Sequence, residues 1–277
     1  MKKFCVVWFV LSFAAIAAAQ QKSADPVMNA MTQELGRSFQ NLKKAPVPPY
    51  FLAYQLTDNR AIRVVSSFGA LTFTSDDRSR VLDIDLRVGD YILDNTHPLR
   101  GNAQLRGSSG DGRSMRIPLD DDSDALRTTL WYETDRKYKS AVEDLEQVKA
   151  NVATKVDAED KSGDFSQEPA QKYVEDIAPF SFNRTEWEDR IRRITKPFRD
   201  IPGISEASAE ISAEIETRRY VNSEGSVERL SAPLYRLIIS ATMKGTTAWN
   251  CPCIRLTCQC GPMACRMKSR FLKMYTR

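Results

Sequence analysis

Histidine is nearly missing from this sequence: His97, in a short Asn95-Thr96-His97-Pro98 stretch, is the single imidazole among 277 residues. One imidazole cannot supply a two-histidine zinc motif, and it leaves a Ser-His-Asp triad without a convincing partner. Placed before a proline in an expected turn, His97 reads as a surface residue rather than a ligand. Cysteine is missing from the body as well. Cys5 is followed by none until Cys251, after which Cys251, Cys253, Cys258, Cys260 and Cys265 crowd into fifteen residues. A domain of this size can bury a core without disulfides, so their absence from the body excludes little. An odd number at one end is the anomaly.

Acid is what the C-terminal end lacks. Residues 245–277 hold six Lys or Arg and no Asp or Glu. Setting aside those six, and Lys2 and Lys3, leaves 32 basic against 36 acidic residues, a net of −4 beneath the formal +4 of the whole chain. No basic stripe runs through the body, which argues against a nucleic-acid partner. The apolar run Cys5 to Ile16 is too short to span a bilayer. With Lys2-Lys3 before it and Ala17-Ala18-Ala19 after it, it has the basic, apolar, small order of a secretory signal peptide. Residues 1–19 are expected to be removed, leaving an exported chain, periplasmic or secreted, with no membrane contact.

What is present reads as α+β. Asp25-Pro26 opens a helix as N-cap and first-turn proline, and Met28, Met31, Leu35, Phe39 and Leu42 continue it to about Lys43. Residues 50–95 carry strand signals: two strands around an Asp58-Asn59 turn, a break at Gly69, then Leu82, Ile84, Leu86 and Val88 alternating with Asp83, Asp85 and Arg87. Residues 100–116 form a Gly/Ser-rich loop. Its GSSGDG lacks the GK[ST] and the strand–turn–helix frame of a phosphate loop. A long helix follows from about Leu119, with Leu126, Leu130, Tyr138, Val142, Leu145, Val148 and Val152 as its buried stripe. Residues 155–180 read as a linker. Asn183 and Glu186 make a capping box for a helix with Trp187, Ile191, Ile194 and Phe198 on one face, closed by Ile201-Pro202-Gly203.

The last elements are strands. Ala207, Ala209, Ile211, Ala213 and Ile215 alternate with Ser208, Glu210, Ser212, Glu214 and Glu216; a hairpin turns at Asn222–Gly225; and 234–243 is a further strand. The order predicts a mainly antiparallel sheet with helices packed on it. Asp83 with Asp85, and Glu210 with Glu214, are same-face carboxylates on polar strand faces, and read as solvated residues rather than catalytic dyads.

Three long stretches, PPYFLAYQLTDNRAIRVVSSFGALTFTSDDRSRVLDIDLRVGDYILDNTH, IPLDDDSDALRTTLWYETDRKYKSAVEDLEQVKANVA and ETRRYVNSEGSVERLSAPLYRLIISATMK, resemble in order the N-terminal region of exported TldD/PmbA metallopeptidases. The resemblance covers Asp25 to Lys244. It implies an α+β N-terminal domain at 25–244, dimeric assembly (homo- or heterodimeric), and, in an intact protein, a zinc site cleaving peptides or unfolded substrates. The family's ligands lie on an HExxxH helix in its C-terminal half, where two His bind zinc and Glu acts as general base. No position here matches that motif. The resemblance therefore implies a non-catalytic portion with no catalytic, cofactor-binding or metal residue of its own.

The resemblance stops after Lys244. Read one base back, Trp249-Asn250 becomes Met, Leu or Val followed by Glu, and Asn250-Cys251 gives Leu. A permitted translation is DDGMELPLY, an acidic strand-like continuation. Residues 245–277 are thus expected to be an out-of-frame, disordered tail, leaving the strand 234–243 unpaired. Two alternatives stand beside this: an exported metal-binding protein using the CxC-x4-CxC-x4-C thiolates for Zn²⁺ or Cu⁺, and a non-enzymatic periplasmic binding or assembly module.

Overall fold

The computed structural model describes residues 25–99, 115–153, 162–244, 250–251 and 255–260, the last two stretches as backbone only. The expected signal peptide, the GSSGDG loop and the cysteine side chains lie outside the described residues. Helix α1, Pro26–Leu42, starts where Asp25 accepts a hydrogen bond from the Met28 amide at 3.1 Å, with Pro26 in its first turn. It buries Val27, Ala30 and Met31 almost completely.

The chain then runs out as β1, Pro49–Ser67, and back as β2, Ala70–Val88, nineteen residues each. Phe68 (φ 48°) and Gly69 (φ 86°) connect them, both with left-handed backbone, as a two-residue hairpin turn between twisted strands requires. The expected turn at Asp58-Asn59 is therefore corrected. Both residues sit mid-strand, Asp58 opposite Arg80 on one side and Thr217 on the other. Their side chains find partners across the ladder, so the local turn preference of Asx residues is overridden.

Strand β3, Met115–Arg116, pairs with β2, and α2 follows over Ser123–Ala153. Beyond it come β4, Lys172–Val174, and α3, Arg184–Thr195, capped by Asn183 accepting from the Glu186 amide. Helix α3 ends sooner than its apolar stripe suggests. Lys196–Asp200 tightens into a 3-10 turn where Pro197 has no amide to donate. Strands β5, Ile204–Asn222, and β6, Val227–Lys244, form a second long hairpin turning through Asn222–Ser226. Short β7, Asn250–Cys251, and β8, Arg255–Cys260, complete an eight-stranded sheet ordered β3-β2-β1-β5-β6-β4, with β7 and β8 also on β6. Among the described strands, only β4 with β6 is parallel. The mainly antiparallel α+β class read from the sequence is what is found.

Two expectations change here. Strand β6 is not left unpaired over 234–243: Tyr235–Ser240 pairs antiparallel with β8 and Met243 with β7, so most of its outer edge is covered. Nor are residues 155–180 all loose linker, because their described part, 162–180, includes β4 and wraps the sheet.

Even-numbered residues of β1 and odd-numbered residues of β5 face the helices. At one end, Leu52, Tyr54 and Leu56 meet α1 and α2 in the larger core; at the other, Ile62, Val64 and Ile211 meet Ile191 of α3 in a smaller one. No helix among the described residues is long and apolar enough to cross a membrane.

Candidate functional site

Between the two cores the helix-facing side of the sheet turns charged. Asp58 lies in register with Arg80 on β2, and Leu56 beside it with Arg219 on β5, which in turn faces Arg229 on β6. All three guanidiniums are buried, Arg229 to 2% exposure. Arg80 donates to Asp58 Oδ1 at 2.6 Å and to Asp121 at 2.6 Å. Arg219 donates to Asp58 Oδ2 at 2.6 Å and to Asp25 Oδ2 at 2.8 Å; Arg229 donates to the same Asp25 oxygen at 2.8 Å. The N-cap of α1 thus also holds together two arginines that face each other across strands. Burial alone would raise the Asp25 carboxyl, but hydrogen bonds from Arg229, Arg219 and the Met28 amide outweigh it and hold it below its ordinary value. Every carboxylate of this belt is engaged. The belt orders the fold and offers no free acid or base.

Among the described residues, no helix packs on the opposite face of the sheet. Its β2 end is closed by the loop after Val88, where Tyr50 donates to Asp94 at 2.6 Å and Arg87 stacks 3.9 Å above the centre of the Phe165 ring. Burial, then the Asp94 carboxylate, pushes the Tyr50 hydroxyl far up. Phe165 belongs to a strap, residues 162–171, fixed at one end by its amide to the Tyr91 carbonyl at 3.1 Å and at the other by the Gln171 carbonyl to the Val227 amide at 2.8 Å. Under the strap lies a cleft of ≈ 410 Å³. The ladder sets its floor: Gln55, Tyr220 and Glu228 form one cross-strand row, and Arg218 with Leu230 form part of the next. Glu168 and Pro169 hang from the strap, and Glu224 enters from the β5–β6 turn, where it accepts from Tyr91 at 2.6 Å. Burial, followed by the nearby carboxylates Asp85, Glu228 and Glu224, raises the Tyr220 hydroxyl, with Asn222 acting the other way.

The residues singled out in the sequence fall elsewhere. Asp85 accepts from Arg87 at 3.0 Å while Asp83 is exposed, so the two form no dyad. Glu210 is held by both nitrogens of the Arg63 fork, at 2.7 and 2.6 Å, and Glu214 accepts from Asn59 at 2.7 Å. His97 is not a free surface residue: its Nδ1 lies 2.6 Å from Asp164 at the start of the strap. That carboxylate also accepts from the Asp94 amide at 3.0 Å, so His97 helps to anchor the strap. Among the described residues, no group of three or more His, Cys, Asp or Glu is arranged to hold a metal ion. The cleft itself was not anticipated. Its signals were weak: an aromatic, Tyr220, among the polar Ser, Glu, Arg and Asn side chains that share its face from Glu206 to Asn222, and Phe165 in a polar stretch.

Neither the protein-family models nor the curated proteins give a match. Among solved structures, the chain is similar to a proposed modulator of DNA gyrase from Thermotoga maritima, with TM-score 0.43 and 9% identity, over 82% of this chain and 42% of that one. It is similar also to TldE from Thermococcus kodakarensis, with TM-score 0.42 and 10% identity, over 83% and 42% of the two chains. A third, a proposed modulator of DNA gyrase from Bacteroides thetaiotaomicron, gives TM-score 0.41 and 11% identity over 79% and 42%. The chain spans less than half the length of each of these structures.

Proposed function

We propose that this chain is the non-catalytic N-terminal portion of an exported TldD/PmbA-like zinc metallopeptidase that acts on peptides or unfolded proteins. The observation that carries the reading is the ordered resemblance of three long stretches across Asp25 to Lys244. In this reading the chain supplies a rigid two-hairpin sheet and an assembly surface, while the zinc and the HExxxH helix belong to a half that these residues do not include. Residues 245–277 are then the product of a changed reading frame.

The purified chain, incubated with zinc and with an unfolded protein such as reduced casein, should produce no cleavage above the buffer control. Cleavage abolished by a chelator would overturn the reading. The thiolate spacing of Cys251 to Cys265 favours one second reading, metal sequestration. Stoichiometric zinc or copper that is lost on replacing those five cysteines by serine would support it instead.

A further inference from the structure

We propose that the cleft beneath the 162–171 strap binds a cationic group on an apolar stem, an alkylammonium or guanidinium of the kind carried by lysine, arginine and polyamines. The inference rests on the cleft's own geometry and is independent of the peptidase reading.

The cleft is built from three sides with complementary chemistry. Aromatic and apolar surface comes from Phe51, Phe165, Tyr220, Pro169 and Leu230. Phe51 is buried to 3% exposure, so its ring is fixed in place. Three carboxylates enter from three separate elements: Glu168 from the strap, Glu224 from the turn and Glu228 from β6. Against them stands Arg218, which has its own partner in Glu216 at 3.4 Å. The walls therefore carry a net charge of −2. Carboxylates around an aromatic wall attract a cation through both charge and ring quadrupole, and they repel an anion.

The same aromatic cluster already holds one guanidinium. Arg87 lies 3.9 Å from the Phe165 ring centre and 5.9 Å from that of Phe51, and it donates to Asp85 at 3.0 Å. Arg87 is not among the residues lining the cleft. The Phe165 ring thus contacts an internal guanidinium and also lines a space bordered by acids. The volume of the space suits a side chain with its flanking backbone, rather than a bulky cofactor.

The test is an NMR titration of the full 277-residue chain with three probes: acetyl-Ala-Ala-Arg-Ala-Ala-amide, the same peptide with norleucine for arginine, and spermidine. A saturable shift of the Tyr220 and Phe165 signals is expected with the arginine peptide, with spermidine, or with both. Saturation by the peptide alone identifies a peptide side chain as the source of the cation; comparable or tighter spermidine binding identifies a free amine. The double substitution Glu168→Gln/Glu228→Gln should weaken binding about tenfold or more, the usual effect of losing charge-assisted contacts. Neither residue is buried, so the variant's melting curve should match the parent's. The proposal fails if neither cation saturates the shifts, if the norleucine peptide binds as tightly, or if the double variant binds unchanged.

Discussion

Replacing Asp25 by alanine should destabilise the fold by about 3–5 kcal/mol, the usual cost of removing one partner from a buried ion pair. The substitution takes the shared Oδ2 from Arg219 and Arg229, which face each other across β5 and β6. Arg219 keeps Asp58, whereas buried Arg229 is left with the Glu175 carbonyl and no hydrogen-bonded carboxylate among the described residues. It also uncaps α1, a further loss of about 1 kcal/mol. Urea unfolding of the parent and Asp25→Ala chains checks the size of the effect. Its pH dependence checks the cause. The Asp25 carboxyl is held below its ordinary value of 3.8, so its contribution is complete above that value and is lost as pH falls through the lower folded-state value. The gap between the two chains should be constant near neutrality and close only in acid, below pH 3.8. A gap that closes between pH 6 and 8 would mean that some other group is responsible.

Gly89→Ala should cost about 3 kcal/mol or more, combining backbone strain with a steric clash. Gly89 has φ +108°, and an added Cβ would lie 2.5 Å from the Leu93 carbonyl oxygen and 3.1 Å from the Asp94 Cα. Those neighbours are backbone atoms and cannot rotate away. The loop that Gly89 begins holds Asp94, which accepts from Tyr50, and His97, which meets Asp164 of the strap. The variant should therefore lose stability and also become more readily cleaved by protease within residues 162–171. Unchanged melting would show that the loop can relax around the methyl group. Unchanged proteolysis would show that the strap does not depend on the loop.

The fold was legible where periodicity spoke clearly. The even-numbered β2 residues, the alternation from Ala207 to Ile215 and the caps at Asp25 and Asn183 each predicted an element that is present. The reading failed at Asp58-Asn59 because turn propensity is local, whereas the neutralising arginines arrive from other strands, 22 and 161 residues away in sequence. One clue was available. Arg219 falls in the same alternation as Ile215 and Val221, an inward position at which a charge demands a buried partner. Its partner could not be named without the register. The cleft was hidden for a similar reason, since its floor comes from β1, β5 and β6 and its roof from a stretch with no periodicity at all. The cysteine cluster, the loudest feature of the sequence, has no described side chain, and whether it is read in frame is a question for the gene.

That question can be put directly. The gene should be resequenced across the codons for Lys244 to Cys251, and all three frames read for several hundred bases beyond. The account predicts an open frame one base away that continues the protein and encodes an HExxxH helix. A closed frame without that motif would contradict it, and would make Cys251, Cys253, Cys258, Cys260 and Cys265 the leading functional residues of the chain.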